Sequence, residues 1–281
     1  MGNDNPERIK AVVFDWAGTL VDFGSLAPMG AFVELFRGWG IDISVAEARI
    51  PMGLPKRDHI IALARMERVA RAWAARHGRV FGDADADAGL ATFEPMSARA
   101  AAERATLIPG VLDTVQALRR RGVAIGSTTG YTRVIMRDVV TAAAAQGLST
   151  DCLVCCDDVS QGRPTPLGMY RCMVDLGVWP ACAVVKVDDT APGIAEGLAA
   201  GSWTVGVAVS GNALGLDRDE LRALPDTERQ RRVQGARDAL MAAGAHCVID
   251  SVADLVPVID AIDARLALGG RPAAFGAPQA A

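Results

Sequence analysis

The 281-residue sequence predicts an α/β fold, a Rossmann-like parallel sheet interrupted after its first strand by an all-helical insertion. Three observations point there. Short apolar runs recur along the chain, and from residue 109 onward they alternate with segments of helical pattern. Between about residues 24 and 101 the alternation stops and every segment reads as helix. Strands buried on both faces and joined by helical crossovers belong to parallel sheets.

Taken in order, AVVF at 11–14 is the first strand. The insertion follows as APMGAFVELFRGWG, SVAEARI, KRDHIIALARMERVARAWAARHG and ADAGLATFEPMSARAAAERA, with the acidic stretch from Gly82 to Gly89 read as a flexible connection. Then come a helix over 110–121, the strand VAIGS at 123–127, a helix over 132–146 and the strand CLVC at 152–155. A helix over 166–176, AVVKV at 183–187, a helix over 191–200, WTVGVAV at 203–209 and HCVI at 246–249 complete the sheet. Residues 269–281 carry no pattern and are predicted to be a disordered tail. The division is therefore a core of 1–23 and 102–268 and a helical domain of 24–101.

Composition narrows the partners. With 51% hydrophobic residues, 22% charged and a net charge of −4, the chain can bury one large core with a smaller domain beside it. The mildly acidic balance, without a basic run, argues against nucleic acid. No apolar stretch of ~18 residues argues for a membrane span, and the polar start MGNDNPERIK does not read as a signal peptide, so the expected location is cytoplasmic. Cys152, Cys155 and Cys156 cluster in DCLVCC, but no second ligand pair completes a zinc site; they read as small core residues.

Ligands in such sheets bind beyond the carboxyl ends of the strands, and four features stand there. Asp15 in FDWAGTL is a carboxylate before an open glycine turn, able to attack an electrophile and to hold a divalent cation. The hydroxyl run GSTTGYT at 126–132 and Arg163 in QGRPTP could take anionic oxygens, and KVDDTAPG at 186–193 places adjacent carboxylates after an apolar strand. Singly, these are also what a turn, an ST-turn or a helix cap looks like. In this order, the chain resembles the haloacid dehalogenase superfamily of phosphotransferases, and the insertion resembles its small helical cap. Two departures stand out: Arg163 where lysine is usual, and Gly193 where many members carry a further acid.

Ordinary phosphatases of that superfamily place an aspartate two residues after the nucleophile to protonate a departing alkoxide. Ala17 cannot donate a proton. A carbon leaving group would not need that acid, but it needs an electron sink. Among 29 basic residues only Lys10, Lys56 and Lys186 are lysines, and only lysine can supply a neutral amine. RIPMGLPKRDHI sets Pro55 and Lys56 at a helix start, with His59 on the same face to move protons. An imine on Lys56 requires a depressed pKa, which burial and the helix N-terminus would give; alone, the spacing equally suits a solvated lysine. Lys186, beside Asp188 and Asp189, is expected to be paired, Lys10 exposed, and His77 and His246 structural.

DWAGT, PMGLPKRDH and GSTTGYT together resemble the phosphonatase branch of the superfamily, over roughly residues 10 to 260. That resemblance implies hydrolysis of phosphonoacetaldehyde to acetaldehyde and phosphate, in breakdown of 2-aminoethylphosphonate. Lys56 would form a Schiff base and Asp15 would take the phosphoryl group. Mg²⁺ would be held by Asp15, the Ala17 carbonyl and Asp189, phosphoryl oxygens by Thr129 and Arg163, and the pocket lined by Met52, His59 and Tyr131. It also implies a homodimer; Ser25 falls where some relatives carry cysteine. Two other readings stay open: a phosphomonoester phosphatase or phosphomutase, against which Ala17 argues, and a non-catalytic phosphate-binding protein, against which the intact Asp15, Arg163 and Asp189 argue.

Overall fold

A computed structural model describes residues 7–276, which fold around one six-stranded sheet. The strands β1 (Ala11–Phe14), β2 (Ala124–Thr128), β3 (Cys152–Val154), β4 (Val184–Asp188), β5 (Trp203–Val207) and β6 (Cys247–Ile249) are all parallel, in the order β3-β2-β1-β4-β5-β6. Each coincides with an apolar run read from the sequence. Phe14 is level with Ser127 of β2 on one side and Val187 of β4 on the other. The chain winds outward from β1 in both directions, so the crevice beyond the tips of β1 and β4 is left open for a ligand.

Five helices lie between β1 and β2 in sequence before the sheet's own crossovers begin: α1 (Ala27–Gly38), α2 (Val45–Arg49), α3 (Lys56–Arg65), α4 (Glu67–His77) and α5 (Asp83–Glu103). Seven more follow: α6 (Val111–Arg120), α7 (Arg133–Ala145), α8 (Leu167–Asp175), α9 (Ala191–Ala200), α10 (Arg218–Ala223), α11 (Asp226–Ala242) and α12 (Leu255–Ala267). One sheet face buries Val12, Phe14, Val187 and Val205 with residues of α6, α7 and α12. The other buries Val13 and Val184 against Met169 and Cys172 of α8. Cys152, Cys155, Cys172 and Cys247 are buried free thiols, as core residues should be.

The inserted helices have an aromatic core of their own. Phe32 stacks on Phe93 at 4.3 Å between ring centres, and Trp39, Trp73 and Phe81 meet edge to face. The longest helix, α5, packs against α1 and also along α7, tying the insertion to the sheet's crossovers.

Two expectations need correcting. Gly82 to Gly89 is not a flexible connection; it is the N-terminal end of α5. Asp85 accepts the Gly82 N–H at 2.9 Å and pairs with Arg79, and acidic residues in a first turn face the positive end of the helix. Gly89 sits inside the helix because the Trp39 ring occupies the space beside it: a Cβ there would lie 2.7 Å from the ring. The tail expected to be disordered from 269 is, as far as residue 276, laid along the core. Phe275 donates its N–H to His246 O at 2.7 Å and its ring lies under Arg265 at 4.1 Å. Residues 277–281 lie outside the described part. Among the described residues no helix is long and apolar enough to cross a membrane.

Replacing a helical glycine by alanine ordinarily stabilises by ~1 kcal/mol. For Gly89→Ala the sign should invert, because the Trp39 ring is held by Phe36, Trp73 and Phe81 and cannot step aside. A loss of roughly 1–3 kcal/mol is expected, read as a lowered thermal midpoint; an unchanged or raised midpoint would refute the packing account.

Candidate active site

Asp15 leaves the tip of β1 with its N–H bonded to Val187 O at 2.9 Å, so it faces the end of β4, where Asp188 and Asp189 emerge. The three buried carboxylates each offer an oxygen within 4.8 Å of the others. Gly18, at φ +83°, makes this approach possible, since a Cβ there would collide with the Asp189 carboxylate. Asp189 accepts the Asn212 N–H at 2.7 Å and lies 3.5 Å from the Thr19 hydroxyl. Asp188 accepts from the Thr190 N–H and hydroxyl at 3.0 and 2.7 Å. The carboxylate of Asp188 also fills the space in which any side chain at Gly193 would start, so glycine at 193 is a steric requirement of this Asp188 position.

Burial and like charge oppose ionisation. Burial first, then Asp188, pushes Asp15 up to about 6, with Arg163 and Lys186 working downward. Burial, then Asp15 and Asp188, raises Asp189 well above the carboxylate range. Burial also works upward on Asp188, but Arg163 and Lys186 outweigh it and hold this group low. Three hard oxygen donors that repel one another in a dry crevice suit a divalent cation.

Arg163 is the central cation. Its Nη1 lies 2.9 Å from Asp15 Oδ1, its Nη2 donates to Thr128 O at 2.7 Å and sits 3.3 Å from Asp188 Oδ2, and its Nε donates to Glu196 at 3.0 Å. Lys186 is paired as expected, 3.0 Å from Asp188 Oδ2 and donating to the Thr128 hydroxyl at 2.7 Å. Neither cation aligns a hydrogen bond on Asp188 Oδ2.

From the insertion, α3 begins at Lys56 directly after Pro55, which occupies the cap position, one residue earlier than expected. Lys56 is 2% exposed. Its ammonium faces the rings of Tyr131 at 4.6 Å and Phe32 at 5.8 Å. Burial lowers its pKa from 10.5 to about 8, with Cys156 and Asp15 partly opposing. The contrast with Lys186 is physical: one amine sits among carboxylates, the other among rings.

Asp15, Ala17, Thr129, Tyr131 and Arg163 from the sheet side line one narrow cavity of about 20 Å³ together with Met52 and Lys56 from the insertion; Ser25, Gly53, Gly130 and Thr190 complete it. Asp189 stands beside it in the carboxylate cluster. His59 does not line it. The imidazole is fully buried, stacked on Phe32 at 3.8 Å, with Nε2 bonded to Ala48 O at 2.9 Å and Nδ1 without a partner. Burial and nearby Lys56 hold it neutral. A larger groove of about 940 Å³, between Arg237, Asp250, Pro257 and Phe275, contains none of the expected site residues. His77 caps nothing chemical; it stacks on Trp73 at 4.0 Å, and His246 Nδ1 accepts the Thr204 N–H at 2.9 Å.

The two halves of the cavity meet closely at glycines. A Cβ on Gly130 would lie 2.8 Å from Leu54 O, one on Gly162 2.5 Å from Pro55, and one on Gly53 would collide with Thr190. Arg49, at the end of α2, adds a clasp: it donates to Gly24 O at 3.1 Å, Asn212 Oδ1 at 3.0 Å and Gly215 O at 3.1 Å. Sequence reasoning did not find Glu196, Arg49 or Asn212, and read Thr128 only as part of the hydroxyl run at 126–132, not as a partner of Arg163, Lys186 and Glu196. Glu196 left one signal, as the lone charged residue in APGIAEGLAA, the helix after the paired acids.

Residues 9–201 match the family described as haloacid dehalogenase-like hydrolase. The chain is 53% identical to the phosphonoacetaldehyde hydrolase of Paraburkholderia phytofirmans over 266 residues, covering 95% of this chain and 100% of that one. It is 45% identical to the phosphonoacetaldehyde hydrolase of Bordetella pertussis over 267 residues, 95% of this chain and 97% of the other. The crystal structure of a phosphonoacetaldehyde hydrolase-like protein from Oleispira antarctica superposes with a TM-score of 0.92 at 44% identity, covering 94% of this chain and 96% of that chain.

Because Lys56 has a folded-state pKa of about 8 against an ordinary 10.5, the unfolded chain binds the extra proton between those two values. Stability should therefore rise with pH across that window, and the protonated form should cost roughly 3 kcal/mol below it. Lys56→Met should accordingly be more stable than the wild type in urea at pH 7, with the gap closing toward pH 10. A variant equally stable at both pH values would show that the amine is not desolvated.

Proposed function

The chain belongs to the haloacid dehalogenase-like hydrolases and, within them, to the phosphonoacetaldehyde hydrolases, and from there we propose that it cleaves the carbon–phosphorus bond of phosphonoacetaldehyde, releasing acetaldehyde and phosphate in the breakdown of 2-aminoethylphosphonate. The observation that carries this reading is the presence, in one cavity, of a carboxylate tied to a guanidinium and an amine lowered to about 8 by burial. At that pKa roughly one Lys56 in ten is neutral at pH 7.

The neutral amine of Lys56 attacks the aldehyde carbon, the resulting carbinolamine takes up one proton from solvent on its hydroxyl, and that oxygen leaves as water, giving an iminium. Asp15 then attacks phosphorus; as the C–P bond breaks, its electron pair moves into the iminium and the product leaves phosphorus as an enamine on Lys56. No proton is needed at the departing atom, which accounts for Ala17. Arg163 and Thr129 hold the phosphoryl oxygens, and Met52 and Tyr131 wall the aldehyde end. Protonation and hydrolysis of the enamine free acetaldehyde, and water cleaves the aspartyl phosphate. His59 does not line the cavity and is held neutral, so its part here is to pack near Lys56, its ring on Phe32 and its Nε2 bonded to Ala48 O. A Mg²⁺ ion held by Asp15, Asp189 and the Ala17 carbonyl would offset the repulsion between nucleophile and phosphonate. Six free cysteines suit a reducing cytoplasm, and the homodimer is carried over from the resemblance.

Borohydride added with phosphonoacetaldehyde should trap a reduced adduct on the peptide containing Lys56. Lys56→Arg should lose at least ~10³-fold in phosphate release although charge is kept, and EDTA should abolish turnover until Mg²⁺ is restored. Brisk hydrolysis of sugar phosphates with no adduct would favour the phosphomonoesterase reading instead; phosphate binding without any turnover would favour the non-catalytic one.

A further inference from the structure

Behind Arg163, on the side away from the cavity, lies a buried polar cluster that no step above uses. Glu196 is 2% exposed and projects from α9 with its Oε2 accepting from Arg163 Nε at 3.0 Å and from the Thr128 hydroxyl at 2.8 Å. Lys186 Nζ stands 3.4 Å from the same oxygen and donates to the Thr128 hydroxyl. The space for this carboxylate exists because residue 168 is glycine: a Cβ there would lie 2.5 Å from Glu196 Oε1. Neither Glu196 nor Lys186 lines the cavity that holds Asp15 and Lys56.

A guanidinium is a rigid planar fork with five N–H donors, whose aim is fixed only when its plane and its rotation are both held. In Arg163, Nη2 is held by Thr128 O and Nη1 faces Asp15, where charge changes during the reaction. The bond at Nε is the one that pins the fork from the rear. It also divides the guanidinium's charge between the nucleophile and a spectator, and it gives Lys186 a second counter-charge away from Asp15. A lysine at 163 would offer one rotating ammonium with no plane for Glu196 to fix, so the arginine and Glu196 belong together.

We propose that Glu196 is the positioning residue for Arg163, aiming its Nη1 at the nucleophile and the transferring phosphoryl group while taking no part in imine chemistry. This rests on the reaction proposed above and separates its two halves: Glu196 serves the phosphoryl half alone.

Both halves are measurable on the full-length enzyme with Mg²⁺. Borohydride trapping with acetaldehyde reports the Lys56 half; kcat and KM for phosphate release from phosphonoacetaldehyde report the whole. Glu196→Gln should lower kcat by ~10- to 100-fold while trapping stays within twofold of wild type. Placed on Arg163→Lys, it should add less than threefold to that variant's own loss, since a residue acting through Arg163 has little left to position. Should Glu196→Gln not fold, judged by far-UV circular dichroism, Glu196→Asp takes its place in the same measurements. Unchanged kcat, parallel loss of trapping and turnover in a folded variant, or losses that multiply in the double variant would each overturn the proposal. A wild-type protein that neither traps aldehyde nor releases phosphate would instead overturn the reaction itself, whatever the variants do.

Discussion

A guanidinium held 2.9 Å from a carboxylate, both nearly buried, is the interaction around which this molecule is arranged. Without Arg163, three carboxylates at the tips of β1 and β4 would face one another with burial and mutual repulsion both favouring protonation. A carboxylate that is to stay anionic cannot stand there unaided. The parallel sheet supplies the position, because adjacent β1 and β4 end level with each other and point their next residues into the same space. Two buried cations then balance the acids, and Glu196 shares the load from behind.

Electrostatic treatment of the two interior lysines is opposite, and the difference is set by neighbours alone. Lys186 is wholly enclosed yet has two carboxylates and a hydroxyl at its nitrogen. Lys56 is nearly as enclosed but looks onto Tyr131 and Phe32. An ammonium among π-faces keeps some attraction but loses its water, and that imbalance is what makes an amine available near neutral pH. The aromatic packing that stabilises the inserted helices thus also surrounds the Lys56 nitrogen: Phe32, which faces it, stacks on both Phe93 and His59.

Much of this was legible in the sequence, and the exceptions have physical reasons. Strands buried on both faces leave continuous apolar runs, so all six could be read directly. Asp15, Lys56 and Asp189 lie at strand or helix ends, and Arg163 in the turn before α8, where composition changes abruptly. Glu196 is mid-helix, and nothing in one dimension distinguishes a buried acid from an exposed one. Asp83 and Asp85 misled because acids beside glycines mark both linkers and helix starts; Arg79 and the dipole decided for helix. Phe275, alone in a patternless tail, owes its place to Arg265 ten residues earlier and to the distant Trp203 and His246. The apparent loss of an acid at Gly193 was a matter of space, since Asp188 already fills it.

The Arg49 clasp joins residues 163 positions apart, and Asn212, which it grips, also donates its N–H to Asp189. The loop after β5 is therefore a tether with two loads, one the inserted half of the cavity and the other an acid of the cluster. Surface loops commonly drift in length between relatives, but here an inserted residue would pull on both ends at once. Selection on this stretch should run on its span, which leaves its outer side chains free to vary while its backbone path is kept.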